Sequence, residues 1–347
     1  MKVATRHAVT TAAILTFALK VLTFAAAILT FAPATVRAQQ APDAMGDMSH
    51  MHHMSMRKAT GVLLTVTNDE AQHIFTLRLG PLNLPANAGM DVAQAPDLAW
   101  TVPLDAWFVA YHPRLVDASG GALPGRLLHH VAVYDTAHRN YLCPKQPEHI
   151  FGAGGEMTNW PATPGLGYRV QEGDRILIAT MFHNDEAVSY PQTYLEIRIQ
   201  YQAVVSGGSS LVAVRPVWFD VMECGESAYD LKPGRNVTTG DFTLATSGKL
   251  IGVGGHMHDY GRELVLEDAT RNQKIATLDA KLDPDGRLVS IPIALFAETG
   301  GLELAKGDDI RITAVYDNPT GKYLHDGAMG IAVGYLIPEG GSESPPQ

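Results

Sequence analysis

Residues 254–261 read GGHMHDYG and set two histidines two positions apart, with Met257 between them. In an extended strand, side chains two apart project to the same face. His256 and His258 can therefore bring both imidazoles to one point while Met257 turns into a core. Such a pair is either half of a metal site or two ordinary surface or hydrogen-bonded histidines. Gly252, Gly254 and Gly255 weaken a strand and remove packing area, which marks a demand for close approach. His129-His130, in LLHHVAVYD, form a second cluster. Neighbours in a strand face opposite sides, so both can serve one metal only where the strand ends, twists or bulges. His183 closes an alternating run in ATMFHNDE, and strand ends are where ligands are displayed. Met329, in HDGAMGIAVGYL, reads alone as core filling. Gly327, Gly330 and His325 beside it give it a second meaning. Imidazoles with a thioether favour copper, Cu(I) above all, because soft sulfur discriminates against hard cations. Hydrolytic zinc fits less well, since a thioether serves it poorly and the chain has no HExxH arrangement. His-x-His also opens a cupin motif, with Glu263 suitably spaced. Leu250 and Thr270 stand where that motif needs glycine, however, and no second histidine motif follows.

Short β-branched runs between turn residues must position these groups. They fall at 61–67, 74–79, 107–115, 127–134, 175–183 and 194–201, then at 211–219, 250–258, 263–266, 287–295, 309–316 and 331–337. Regular spacing of this kind predicts an all-β fold. About 300 residues beyond the leader exceed one ordinary domain. Two tandem β-sandwiches are expected, 59–207 and 208–340, divided at the SGGSS loop 206–210 and followed by a tail at 341–347. EGDRILIATMFHND (172–185) aligns with KGDDIRITAVYDNP (306–319), setting Asp174 on Asp308, Phe182 on Tyr316 and Asn184 on Asn318. Either an internal repeat or the common pattern of a turn followed by an alternating strand explains the match.

Residues 1–38 hold Lys2 and Arg6, an apolar run and small residues around Ala38, the pattern of a signal peptide cut after Ala38. An uncleaved anchor is the alternative, the run being long and interrupted by Lys20. Cleavage removes four cations and no acid, taking the net charge from −10 to −14. An exported chain this acidic is expected to bind no nucleic acid and to keep no stable membrane partner. Cys143 and Cys224 can pair in an oxidising compartment, the other reading being two buried free thiols. Residues 39–58 interleave Met48, His50, Met51, His52, His53 and Met54. That composition cannot build a core and predicts a disordered segment, either an accessory copper-capturing tail or a tolerated linker.

Taken in order, these motifs resemble the copper type II, ascorbate-dependent monooxygenases, the family of peptidylglycine α-hydroxylating monooxygenase and dopamine β-monooxygenase. His129-His130 followed by VAVYD resembles the family's double-histidine motif, and His183 its third ligand. His256 and His258 resemble the second copper's histidine pair, and Met329 its thioether ligand. IFGAGGEMTNWPATPGLGYRV (150–170) resembles the stretch between the second and third histidines of the first site, and the likeness covers most of 60–338. The resemblance implies two jelly-roll sandwiches facing each other across a solvent-filled cleft, with one copper in each. His129, His130 and His183 would hold an electron-supplying copper. His256, His258 and Met329 would form the catalytic site that takes O2 and hydroxylates a C–H bond, with ascorbate or a similar reductant reloading both. Where peptide-binding members carry an Arg two residues before His-x-His, this chain has Gly254. Where they carry a Tyr four after the Met it has Val333, and where they carry a Gln two before the third histidine it has Met181. The groups that grip a peptide carboxylate are thus missing, and a different small organic substrate is expected. Two other readings stay open: a non-catalytic copper protein for storage, delivery or sensing, and a structural double sandwich whose histidines are incidental.

Overall fold

Alternation decides which face each strand buries. Along Ile74–Leu84, Phe75, Leu77, Leu79 and Leu82 lie inside, and along Asp309–Asn318 so do Ile310, Ile312 and Ala314. In the computed structural model the described residues are 36–37, 57–58, 61–156, 159–205 and 211–341. Nearly all of the leader, the SGGSS loop and the accessory residues Met48, His50, Met51, His52, His53 and Met54 lie outside them.

The protein is an all-β sandwich fold. In the first half, a seven-stranded sheet centres on Ile74–Leu84, Tyr190–Ala203 and Ala106–Val116, and it faces a five-stranded sheet ordered Arg57–Lys58, Gly89–Thr101, Arg175–Asn184, Leu128–Arg139, Pro147–Gly154. The second half stacks a sheet built on Arg215–Asp220, Gly330–Pro338 and Gly248–Met257 against one ordered Gly234–Thr243, Asp309–Asn318, Gly261–Asp268, Gln273–Asp279. The stretch 287–295, expected as one strand, is two: Leu288–Ser290 and Ala294–Leu295 are separated around Pro292, which has no amide hydrogen for a ladder.

The alignment of 172–185 with 306–319 is matched by shared hydrogen-bond roles. Asp174 and Asp308 each accept the backbone N–H three residues earlier, at 2.6 Å. The Asn184 amide reaches the carbonyls of Leu84, Pro85 and Val188, and its Oδ1 takes the N–H of Glu186. The Asn318 amide reaches Leu231, Lys232 and Lys322, and its Oδ1 takes the N–H of Thr320. Both asparagines close the end of a central strand by satisfying loop groups that would otherwise be buried unpaired.

The halves meet along Pro147–Gly154, which packs against the Arg215–Asp220 and Gly248–Met257 strands and is reached from Gly330–Pro338 by Tyr335. Tyr335 donates to the Ile150 carbonyl at 2.6 Å and packs edge-on against Trp160. His149 lies between Tyr134 and Trp218, with ring centroids 4.2 and 4.4 Å away. Burial pushes its pKa down to about 3, so it stays neutral in this seam. Cys143 and Cys224 form a disulfide across the same seam. Arg215 Nη2 sits 2.6 Å from Glu148 Oε1, and the Glu148 side chain is 1% exposed. Removing one partner of a buried pair strands the other charge. Arg215→Ala is therefore expected to cost about 3–5 kcal/mol, read as a lower denaturation midpoint in urea. An unchanged midpoint would show that the pair contributes nothing.

Candidate metal centre

The strand Leu128–Arg139 solves the problem of adjacent histidines with a bulge. Its register against Arg175–Asn184 pairs His130 with Met181 and then Leu128 with Phe182, leaving His129 as the extra residue. A bulge kinks the strand and re-aims a side chain, so His129 and His130 come to the same side, with ring centroids 5.1 Å apart. His183, at the end of the neighbouring strand, lies 5.3 Å from His129. Its Nε2 bonds the Arg126 carbonyl, which leaves Nδ1 as the free lone pair.

On the second half, Gly248–Met257 runs His256 to its outer face and Met257 into the core, where it is 1% exposed. His258 follows directly. Its N–H donates to the Tyr316 hydroxyl at 2.9 Å, which also accepts the Met329 N–H at 3.1 Å and donates to the Met329 carbonyl. One buried phenol thus ties the backbone of His258 to that of Met329. The His258 ring bonds the backbone of Gly327, and its Nε2 is buried without a partner.

The two sets are not separated by the solvent-filled cleft that the resemblance implied. The His129 ring is 4.4 Å from that of His258, and His130 is 6.3 Å from His256. Ligating atoms of His129, His130 and His258 all lie within 4.8 Å of one another. The sheets close on each other here because glycines line the contact: a Cβ on Gly154 would stand 2.5 Å from His256 Cε1, and one on Gly152 2.6 Å from the Trp218 ring.

Burial lowers the pKa of His129, His130 and His258, with repulsion from the neighbouring histidines adding to it, and His130 falls to about 3. These rings are neutral and present lone pairs. His130 Nδ1, His256 Nε2 and His258 Nε2 are buried without a hydrogen bond. Stranding such atoms costs roughly 1–3 kcal/mol each, and a cation held by the grouping of His129, His130 and His258 would offset part of that. Among the described residues, two other groupings of histidine and carboxylate differ in this respect. His138 Nδ1 is already 3.0 Å from Asp135, and His325 Nδ1 is 2.7 Å from Asp230.

Sequence reasoning missed three contributors. Tyr316 stood only in the repeat alignment. Gly154 and Glu156 stood only in the stretch 150–170, where GAGGE gave a signal of close approach and a carboxylate, and no indication of what it meets. Glu156 Oε1 lies 3.1 Å from His256 Nδ1.

The chain is 26% identical over 234 residues to the probable copper-dependent oxygenase clz3 of Cochliobolus lunatus, covering 61% of this chain and 72% of that protein. It is 27% identical over 239 residues to the probable copper-dependent oxygenase M1 of a Phoma strain, covering 61% of this chain and 58% of that protein. No family model matches. Among solved structures it is similar to the major capsid protein P2 of bacteriophage PM2, at 12% identity and a TM-score of 0.32, over 76% of this chain and 97% of that one.

Proposed function

We propose that the protein is an exported copper-dependent monooxygenase that hydroxylates a C–H bond of a small organic substrate with O2 and an ascorbate-like reductant. The observation that carries the reading is the convergence of buried, neutral imidazoles with unpaired nitrogens at the seam between the sandwiches. Similarity to two proteins named copper-dependent oxygenases supports the metal and the reaction class. The ligands would be His129, His130 and His183 for one ion, and His256, His258 and Met329 for the other, which makes the second set the catalytic one. Copper when bound supplies one-electron redox chemistry and activation of O2. The balance is substrate C–H plus O2, two electrons and two protons to C–OH and water. The seam disulfide supports an oxidising compartment, and among the described residues no helix is long and apolar enough to cross a membrane.

The chain's own residues shape what can bind. Trp218, Val333 and Gly254 are cross-strand neighbours in one row beside the histidines. This row carries no cation for a carboxylate, and its Trp218 ring is already packed against His149 in the seam. The short separation of the histidine sets also favours a second reading, a copper store or carrier on the same scaffold.

Reconstitution of the full chain tests both. The oxygenase reading expects two copper ions per chain and ascorbate-driven O2 uptake. In Met329→Ala it expects that uptake to be lost while copper persists on the histidines. Uptake that survives Met329→Ala overturns the mechanism. Copper that passes to an acceptor with no O2 uptake supports the store.

A further inference from the structure

We infer that Glu156, on the first sandwich, is a positioning residue for His256 on the second: it fixes which ring nitrogen His256 offers to metal. The inference rests on the copper reading for its consequence and on the geometry alone for its premise. Glu156 follows the strand Pro147–Gly154, and its side chain is 1% exposed. Its Oε1 is anchored by the Gly154 N–H at 2.7 Å, so the carboxylate is aimed by its own backbone before it meets the other half. His256 Nδ1 lies 3.1 Å from Oε1 and 3.4 Å from Oε2. A carboxylate can only accept, so Nδ1 carries the hydrogen and the Nε2 lone pair is left free.

Two further observations point the same way. His256 Nε2 is buried with no partner, which in a plain ion pair would be a second N–H wasted in the interior. The His256 ring lies so close to the Gly154 backbone that any side chain there would collide with Cε1 and Nδ1. Gly154 and Glu156 thus form a socket, one giving space and the other orientation. Competence of the His256, His258 and Met329 set then depends on a loop of the opposite sandwich. A ligand whose outer partner is removed typically loses about 10–100-fold in metal affinity.

Nitrogen-15 histidine spectra of the full metal-free chain test the premise. Wild type and Glu156→Gln, which keeps an acceptor oxygen, are expected to show His256 as the Nδ1–H tautomer, and Glu156→Ala a mixture of tautomers. Anaerobic Cu(I) competition with a chromophoric chelator tests the consequence. Glu156→Ala is expected to weaken one copper by roughly 10–100-fold and Glu156→Gln by much less. The double variant Glu156→Ala/His256→Ala should bind no worse than His256→Ala alone, because the residue acts through that ring. An Nε2–H tautomer in wild type, an unchanged affinity in Glu156→Ala or additive losses in the double variant would each overturn the inference. If the wild-type chain takes up no copper while the tautomer is as expected, the copper reading fails and the positioning role stands.

Discussion

Replacing His258 with alanine is expected to strip copper from both ligand sets, and not only from the set to which His258 belongs. One of its ring nitrogens stands within the same 4.8 Å grouping as donor atoms of His129 and His130, and its ring is 4.4 Å from His129. Removing it leaves a gap in the middle of the cluster and lowers the donor density at the other site. The loss in affinity should exceed the roughly 10–100-fold typical of an outer partner, with O2 uptake falling below detection. His183→Ala, at the edge of the cluster beside His129, should leave the copper at His256 and His258 in place. Metal analysis with Cu(II) electron paramagnetic resonance reads both. Full occupancy at His129, His130 and His183 in the His258→Ala protein would mean that two independent sites exist.

Loss of the disulfide is the largest stability change expected. Cys143 and Cys224 are separated by 81 positions and lie in segments contributed by different sandwiches. Cross-linking a loop of this length removes about 4–5 kcal/mol of unfolded-state entropy in the chain-entropy model. That is a large share of the net stability of an ordinary fold, roughly 5–15 kcal/mol. The double replacement by serine, or reduction of the wild type, should move the urea midpoint down accordingly. A midpoint that stays put under full reduction would show that the packing of Tyr335, Trp160 and Trp218 holds the seam without it.

Much of the scaffold was legible from alternation alone. Runs such as 74–79, 107–115 and 309–316 sit inside real strands because one face of each meets a core, and period-two burial writes itself into residue types. Pro147–Gly154 was not legible. Its glycines serve the approach of Trp218 and His256 from the other half, so the residues that make the contact also erase the strand signal. The same logic divides the site. Histidine identity and spacing revealed the two clusters, and adjacency required the strand to end, twist or bulge at His129-His130, of which the bulge is what the structure shows. The distance between the clusters depends on how two sheets dock, which no local pattern encodes. Glu156 lies 100 positions from the ring it meets, with nothing nearby in sequence to connect them.

The aligned strands differ at two neighbouring positions that matter: Phe182 falls on Tyr316, and His183, beside His129, falls on Asp317. Phe182 and Tyr316 are both fully buried and hold equivalent places, yet only the tyrosine carries the hydroxyl that joins His258 to Met329. The shared carpentry of Asp174 with Asp308 and Asn184 with Asn318 makes the halves look interchangeable. One hydroxyl and one imidazole break that likeness, so a second copy of either strand in the other's place would lack a group that the other half uses.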